Sequence, residues 1–416
     1  MLYARLLRNF NWIWTLLLGL TILLSFIWGY ISWDAPYYLS IARDISNGFV
    51  PYVDIYNSYT PLMMYLNSII YELIDEPGYF IFLGFQYIMT FFSAFIFYRI
   101  GIDKKLKPSE AFCLSALLVM AVLSSDGTAI ILEVYILPCV LLAYIAFSRQ
   151  HFLMTGLLLG ISFFFKQYGI LNFIPFGLMI LNDSKDQKIK SLLNFFMGGL
   201  IPLAIFLLYF LFIKKVEFTH LLMQISGNGY AENKIQTEKS FFSLLVGAKV
   251  FLLLLVPMLV LRKIIWASRR FWLLILGLGI NLLPIVIKNF PHYFILTFPY
   301  LFILYAENLQ KLKFRQLAAL NFSFLLIFGL LILRLNRYKD VYNEQLQVSD
   351  FALENYARGS SVYLCDGYRF LYILNDYRNP VLDEQGYRDW FVPDTEFYEN
   401  NNVLIDEYCV DPERLN

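Results

Sequence analysis

Long apolar runs recur along most of the chain, and no other feature limits its fold as strongly. A helix needs about 20 mostly apolar residues to cross the hydrocarbon of a bilayer. Segments of this kind run near 10–31, 79–100, 109–124, 131–147, 152–166, 168–182, 192–213, 244–261, 271–287, 293–307 and 317–334. Lipid offers no partners for backbone N–H and C=O groups, so such runs must satisfy them internally, as helices do. The expected fold is therefore an all-α polytopic membrane protein with about eleven transmembrane helices. Composition agrees: 59% of the 416 residues are hydrophobic and 16% are charged, where soluble domains carry about a quarter charged residues. The net charge of +1 provides no basic field for nucleic acid. The cysteines at 113, 139, 365 and 409 form no CxxC pair, so no zinc or thioredoxin-type motif is visible.

Lysine and arginine in the connections set orientation. With the N-terminus cytoplasmic, the inner connections hold Arg5, Arg8, Arg99, Lys104, Lys105, Lys107, Arg149, Lys185, Lys188, Lys190, Arg262, Lys263, Arg269, Arg270, Lys311, Lys313 and Arg315. The short outer loops and span mouths hold only Arg43, Lys166, Lys214, Lys215, Lys234, Lys239, Lys249 and Lys288. No small-residue cleavage site follows the first span, which reads as an anchor. Eleven spans then leave the C-terminus outside. Residues 1–334 form the expected membrane domain. Residues 335–416 lose the apolar runs and carry 16 Asp/Glu against 7 Lys/Arg. They read as a small acidic exterior α/β domain, with 361–364 as a short strand.

The first exterior loop, 32–78, is the most informative segment. Asp34 precedes Pro36, and proline favours a first helical turn. Tyr38, Ile41, Ala42 and Ile45 follow at helical spacing and Gly48 ends the pattern, which predicts an amphipathic helix over 36–47 on the outer surface. Asp34 would cap it. The helix dipole there favours an ionised carboxylate, which suits a general base as well as a plain N-cap. Residues 61–74 read as a second surface helix, too short to span. Tyr37, Tyr38, Tyr52, Tyr56 and Tyr59 read first as an interfacial aromatic belt.

The pattern W-D-A-P-Y-Y-x5-R-D-x3-G-x2-P-Y-x-D-x6-P-L, from Trp33 to Leu62, resembles the first exterior loop of GT-C glycosyltransferases. It is most similar to bacterial relatives of protein O-mannosyltransferases and aminoarabinose transferases. Gly156-x3-Gly160-x5-Lys166-Gln167 resembles that family's glycine-bearing span ending in lysine, and Phe290-Pro291-His292-Tyr293 its late His-Tyr element. The likeness covers about residues 10–310. It implies transfer of a sugar from a polyprenyl-phosphate donor to an acceptor (lipid, glycan or protein) on the exterior face of a bacterial plasma membrane. The resemblance places Asp34 as catalytic base, and Asp54, Glu133, Lys166, His292 and Tyr293 at the substrate.

Independent of the resemblance, the inner loops are too short to fold a nucleotide-sugar domain. No GxxxxGK[ST] loop is present. Plain structural roles stand beside the functional ones. Lys166 also fits a span-ending interfacial lysine, His292 an interfacial histidine, Glu133 a helix-dipole partner and Asp54 a loop brace. The sequence identifies no cofactor and leaves metal dependence open. Asp34, Asp54 and Glu133 are candidate ligands for a divalent cation, although no spacing demands one. A transporter or flippase for lipid-linked saccharides is the competing reading, and a receptor or scaffold the third. Cys365 and Cys409 would share an oxidising compartment and so could pair. The basic loop 214–243, with Gly227 and Gly229, fits a lid over the donor as well as a solvated connector that touches no substrate.

Overall fold

The computed structural model describes residues 31–74, 77–183, 187–226, 248–255, 269–309 and 314–355, without 33, 56 and 289, and with a few positions between 16 and 24 and residue 357. The described residues are almost wholly helical. The one β-type pairing among them is an isolated bridge between Pro51 and Ile55.

Two helices form the first loop, α1 (Asp34–Ser46) and α2 (Leu62–Leu73), packed on each other. The bundle follows with α3 (Tyr79–Asp103), α4 (Pro108–Val122), α5 (Glu133–Ser148), α6 (Phe152–Phe165), α7 (Phe173–Asp183) and α8 (Lys188–Leu207). Then come α9 (Phe218–Ser226), α10 (Arg269–Ile280), α11 (Leu283–Lys288), α12 (Phe298–Asn308) and α13 (Phe314–Asn355). Among the described residues, three helical stretches are long and apolar enough to cross a membrane: Tyr79–Asp103, Pro108–Gly127 and Lys188–Ile213. The chain is thus an integral membrane protein.

The remaining apolar runs are shorter or broken, where sequence predicts simple spans. Run 168–182 folds as a 3-10 turn, Gln167–Asn172, before α7, and run 293–307 as a 3-10 turn, Pro291–Thr297, before α12. Run 271–287 breaks between α10 and α11 at Asn281 and Leu282. Prolines 284, 291 and 299 stand at or near the starts of these pieces, where a missing N–H costs least. Most of run 10–31 and much of run 244–261 lie outside the described residues, as do 227–247, Cys365 and Cys409.

α1 starts at Asp34, so the carboxylate sits in the first turn instead of capping from outside. The helix ends where Gly48 takes φ 94°, a conformation that suits glycine. It is also not a surface helix: Ala35 to Ala42, Asp44 and Ile45 are all buried. Periodicity had reported only the strongest apolar face, whereas the loop and the bundle cover the others. α2 matches its expected position, with Leu73 78% exposed.

The tightest helix contact joins α6 and α8. A Cβ on Gly156 would lie 1.8 Å from the Phe195 carbonyl oxygen, and one on Gly198 would lie 2.0 Å from that of Leu153. Glycines here let the two backbones touch, as small-xxx-small faces do in membranes. α13 is continuous through residue 334, the boundary expected between the membrane and exterior domains, and runs 21 residues further, to Asn355. Residues beyond 355, apart from 357, including the expected strand 361–364, lie outside the described residues.

Candidate active site

Several chain segments converge at one end of the bundle. Glu133 opens α5 and Lys166 follows the last turn of α6. Their side chains are 1% and 3% exposed, and Nζ lies 2.5 Å from Oε1. A buried charge pair of this kind is stable only with close geometry, because each ion gives up its hydration. Lys166 reaches this position because α6 stops sharply: its backbone is extended, at φ −161° and ψ 143°. The following 3-10 turn folds back so closely that a Cβ on Gly169 would lie 2.4 Å from the Ser162 carbonyl oxygen.

Aromatic rings surround the ammonium. Nζ lies 4.6 Å from the ring centre of Tyr293, 5.5 Å from Tyr59 and 5.7 Å from Tyr168, within cation–π range. The aromatic-belt reading is corrected here. Tyr37, Tyr38 and Tyr52 are buried, and Tyr59 is half-buried beside Lys166. Tyr37 accepts the Ser58 N–H, and Tyr52 donates to the Tyr59 carbonyl. These rings hold the loop's internal shape; Tyr56 lies outside the described residues.

His292 lies across from Glu133 in the 3-10 turn before α12. Its Nε2 is 3.8 Å from Glu133 Oε1, and its Nδ1 is 3.8 Å from Asp126 Oδ2. Phe290 stacks on the ring at 5.4 Å. Burial pushes the imidazole below its usual range, and Lys166 adds to this although Glu133 and Asp34 pull the other way. The resting ring is therefore neutral at pH 7. Asp34, half-buried at the start of α1, is close enough to act electrostatically on Tyr38, Lys166, His292 and Tyr293.

Asp54 is turned elsewhere. Its Oδ2 accepts the Val50 N–H at 2.7 Å while its own N–H bonds the Val50 carbonyl at 2.8 Å. Of its two expected roles, the geometry provides the loop brace. Asp34, Glu133, Lys166, His292 and Tyr293 come together; Asp54 does not join them. Among the described residues no group of three or more His, Cys, Asp or Glu side chains is placed to hold a metal ion.

Several site residues escaped the sequence reading. Gln86, fully buried in α3, donates to the carbonyls of Gly127 (2.9 Å) and Ala129 and accepts the Ile131 N–H at 2.8 Å. It thereby fixes the connection from Asp126 to Glu133. A lone glutamine inside an apolar run was the available signal. Arg334 of α13 pairs with Asp126 and donates to the Ser124 carbonyl at 2.7 Å. Tyr338, one turn on, lies 3.2 Å from the same carboxylate. Gln345 bonds both the N–H (3.1 Å) and the carbonyl (2.9 Å) of Ile31, three residues before Asp34. Gln167 donates to the carbonyls of Ser58 (2.7 Å) and Ile225 (2.9 Å), joining α6, the first loop and α9.

No family model matches this sequence, and no curated protein matches it. A solved structure does: the apo crystal structure of ArnT from Cupriavidus metallidurans, with a TM-score of 0.58 over 88% of this chain and 85% of that one. The chain has an ArnT-like fold. Sequence identity is 13%, so the likeness is one of fold. It agrees with the GT-C architecture implied by the first-loop pattern, and it spans most of the bundle that carries the site.

Proposed function

We propose that the protein is a membrane glycosyltransferase that moves a sugar from a polyprenyl-phosphate donor to an acceptor on the exterior face. The observation that carries this reading is Lys166. It is a buried ammonium in an aromatic surround, set against Glu133 and within the field of Asp34. A lipid-linked phosphate needs a cation at the membrane boundary, and a nucleophile needs a base beside it. The ArnT-like fold supports the same class of reaction.

In this mechanism Asp34 accepts the proton of an acceptor hydroxyl or amine. The acceptor atom bonds to the anomeric carbon as the carbon–oxygen bond to phosphate breaks. The electron pair stays on the phosphate oxygen, and the configuration inverts. Lys166 stabilises the charge that grows on the departing phosphate, while Tyr293 and His292 wall the site. Asp54 holds the loop that carries α1.

The test is transfer from a polyprenyl-phosphate sugar by purified protein, after mass spectrometry of co-purified lipid has identified the donor. Asp34→Asn should reduce kcat by about 10²–10⁴-fold, as for a lost general base, with the fold intact. A variant keeping more than about a tenth of wild-type kcat would remove Asp34 as the base. A product of retained anomeric configuration would exclude the single displacement.

A further inference from the structure

His292 has an arrangement that a neutral imidazole does not satisfy. Both ring nitrogens face carboxylate oxygens at 3.8 Å, Nδ1 toward Asp126 and Nε2 toward Glu133. A neutral ring has one N–H and one lone pair. Whichever tautomer is present, the lone pair faces an acceptor, and only the imidazolium could donate to both sides. At 3.8 Å neither contact is a hydrogen bond, so the site is held just short of that closure.

Charge balance explains the resting state. Glu133 is matched by Lys166 and Asp126 by Arg334. With its two nearest carboxylates each matched by a cation, the attraction of Glu133 and Asp34 for a proton on the ring does not overcome the cost of burying the charge. The charged and titratable groups that act on the ring come from several elements. Asp34 is on α1, Asp126 follows α4, Glu133 opens α5, Lys166 follows α6, and Arg334 and Tyr338 on α13 act through Asp126; Tyr293 and Phe290 are on its own segment.

The balance changes if an anion takes Lys166. A donor phosphodiester adds one negative charge, and Lys166 can no longer belong to Glu133 alone. The buried Glu133 carboxylate then lacks a full counter-charge, and the nearest group able to supply one is His292. We propose that binding of the donor phosphate at Lys166 draws one proton from solvent onto His292, so that donor binding and proton uptake are coupled. This rests on the phosphate role given to Lys166 above. In the coupled state the imidazolium donates Nδ1–H to Asp126 and Nε2–H to Glu133. Asp126 and Arg334 act as positioning residues that hold the ring's second nitrogen in reach. The extra positive charge is then in place before the phosphate departs with one more negative charge than it brought.

The experiment is calorimetric titration of the full chain in detergent with a short prenyl phosphodiester, an anion with no titration of its own at pH 6–9. Buffers of different ionisation enthalpy report the protons exchanged. Above the ring's resting range, about one proton should be taken up per phosphodiester bound, and Kd should rise toward tenfold per pH unit. His292→Gln should bind with no proton uptake and a flat pH dependence. Asp126→Asn should reduce the uptake, whereas Asp103→Asn, whose carboxylate faces Arg149 outside the site, should leave the proton count unchanged. Zero uptake by the wild type, or undiminished uptake by His292→Gln, overturns the coupling. Lys166→Ala separates the two proposals. If it binds the probe as well as wild type, the phosphate role itself fails. If it binds weakly while the wild type takes up no proton, only the coupling fails.

Discussion

Replacing Lys166 with methionine should do more damage than replacing Lys166 and Glu133 together. At 2.5 Å and an effective dielectric near 20, the Coulomb attraction is about 6–7 kcal/mol. Desolvation of the two ions cancels much of that, since each loses hydration worth several kcal/mol. The net worth of the pair is therefore small, but the cost of breaking it is not. Lys166→Met leaves Glu133 as a buried carboxylate without its ammonium, and at a pH high enough to keep His292 neutral the expected loss is about 3–5 kcal/mol. Lys166→Met with Glu133→Gln removes the charge and keeps the volume, so most of that loss should return. Glu133→Gln alone leaves a buried ammonium, partly eased by the rings of Tyr293, Tyr59 and Tyr168, and should fall between. The assay is a double-mutant cycle on unfolding in mixed micelles, followed by tryptophan fluorescence. Even where stability returns, the double variant should use donor poorly, because the phosphate partner is gone. A coupling energy below about 1 kcal/mol, the value of an exposed pair, would refute the reasoning. It would mean that water reaches the pair, and that Lys166 is an interfacial lysine and not a buried one.

Gly156→Leu should prevent α6 and α8 from packing, because even its Cβ would meet the Phe195 carbonyl oxygen at 1.8 Å. Loss of folded protein is expected by size-exclusion chromatography, whereas Gly279→Ala, with nothing within 4 Å, should fold normally. Gln86→Leu strips partners from the backbone of Gly127, Ala129 and Ile131, at about 1–3 kcal/mol for each group left unsatisfied. Its melting temperature should fall clearly below that of an exposed-site control. Gln345→Ala releases Ile31 from both of its bonds and should lower kcat with little change in donor KM, since it loosens the segment before Asp34 and leaves Lys166 in place. An unchanged kcat would show that α1 needs no support from α13.

Much of the architecture is written in local pattern. Apolar runs report helices because the bilayer interior permits few alternatives, and α3, α4 and α8 appear where the runs predict them. Asp34, Pro36 and Gly48 mark the ends of α1 to within two residues, since capping and turn chemistry depend on immediate neighbours. Glycines 156 and 160 could be noticed as a pattern, although their role as a contact with α8 required the partner helix. What sequence could not supply is pairing across the bundle. Lys166 and Glu133 are 33 positions apart, and Arg334 lies 210 positions from the Ser124 carbonyl it binds. No local rule says which buried charges meet, because that depends on where helices stop and turn. α13 shows the same limit from the other side. Its apolar half ends near residue 334, so hydropathy places a boundary there, yet the helix continues because backbone bonding is indifferent to hydropathy. Its polar half carries Tyr338 to Asp126 and Gln345 to Ile31, just before the first loop. Composition thus determined a helical membrane bundle with its charges at helix ends. The tertiary structure decided which of those charges share one buried site, because only packing brings distant helix ends within the few ångströms over which ions and hydrogen bonds act.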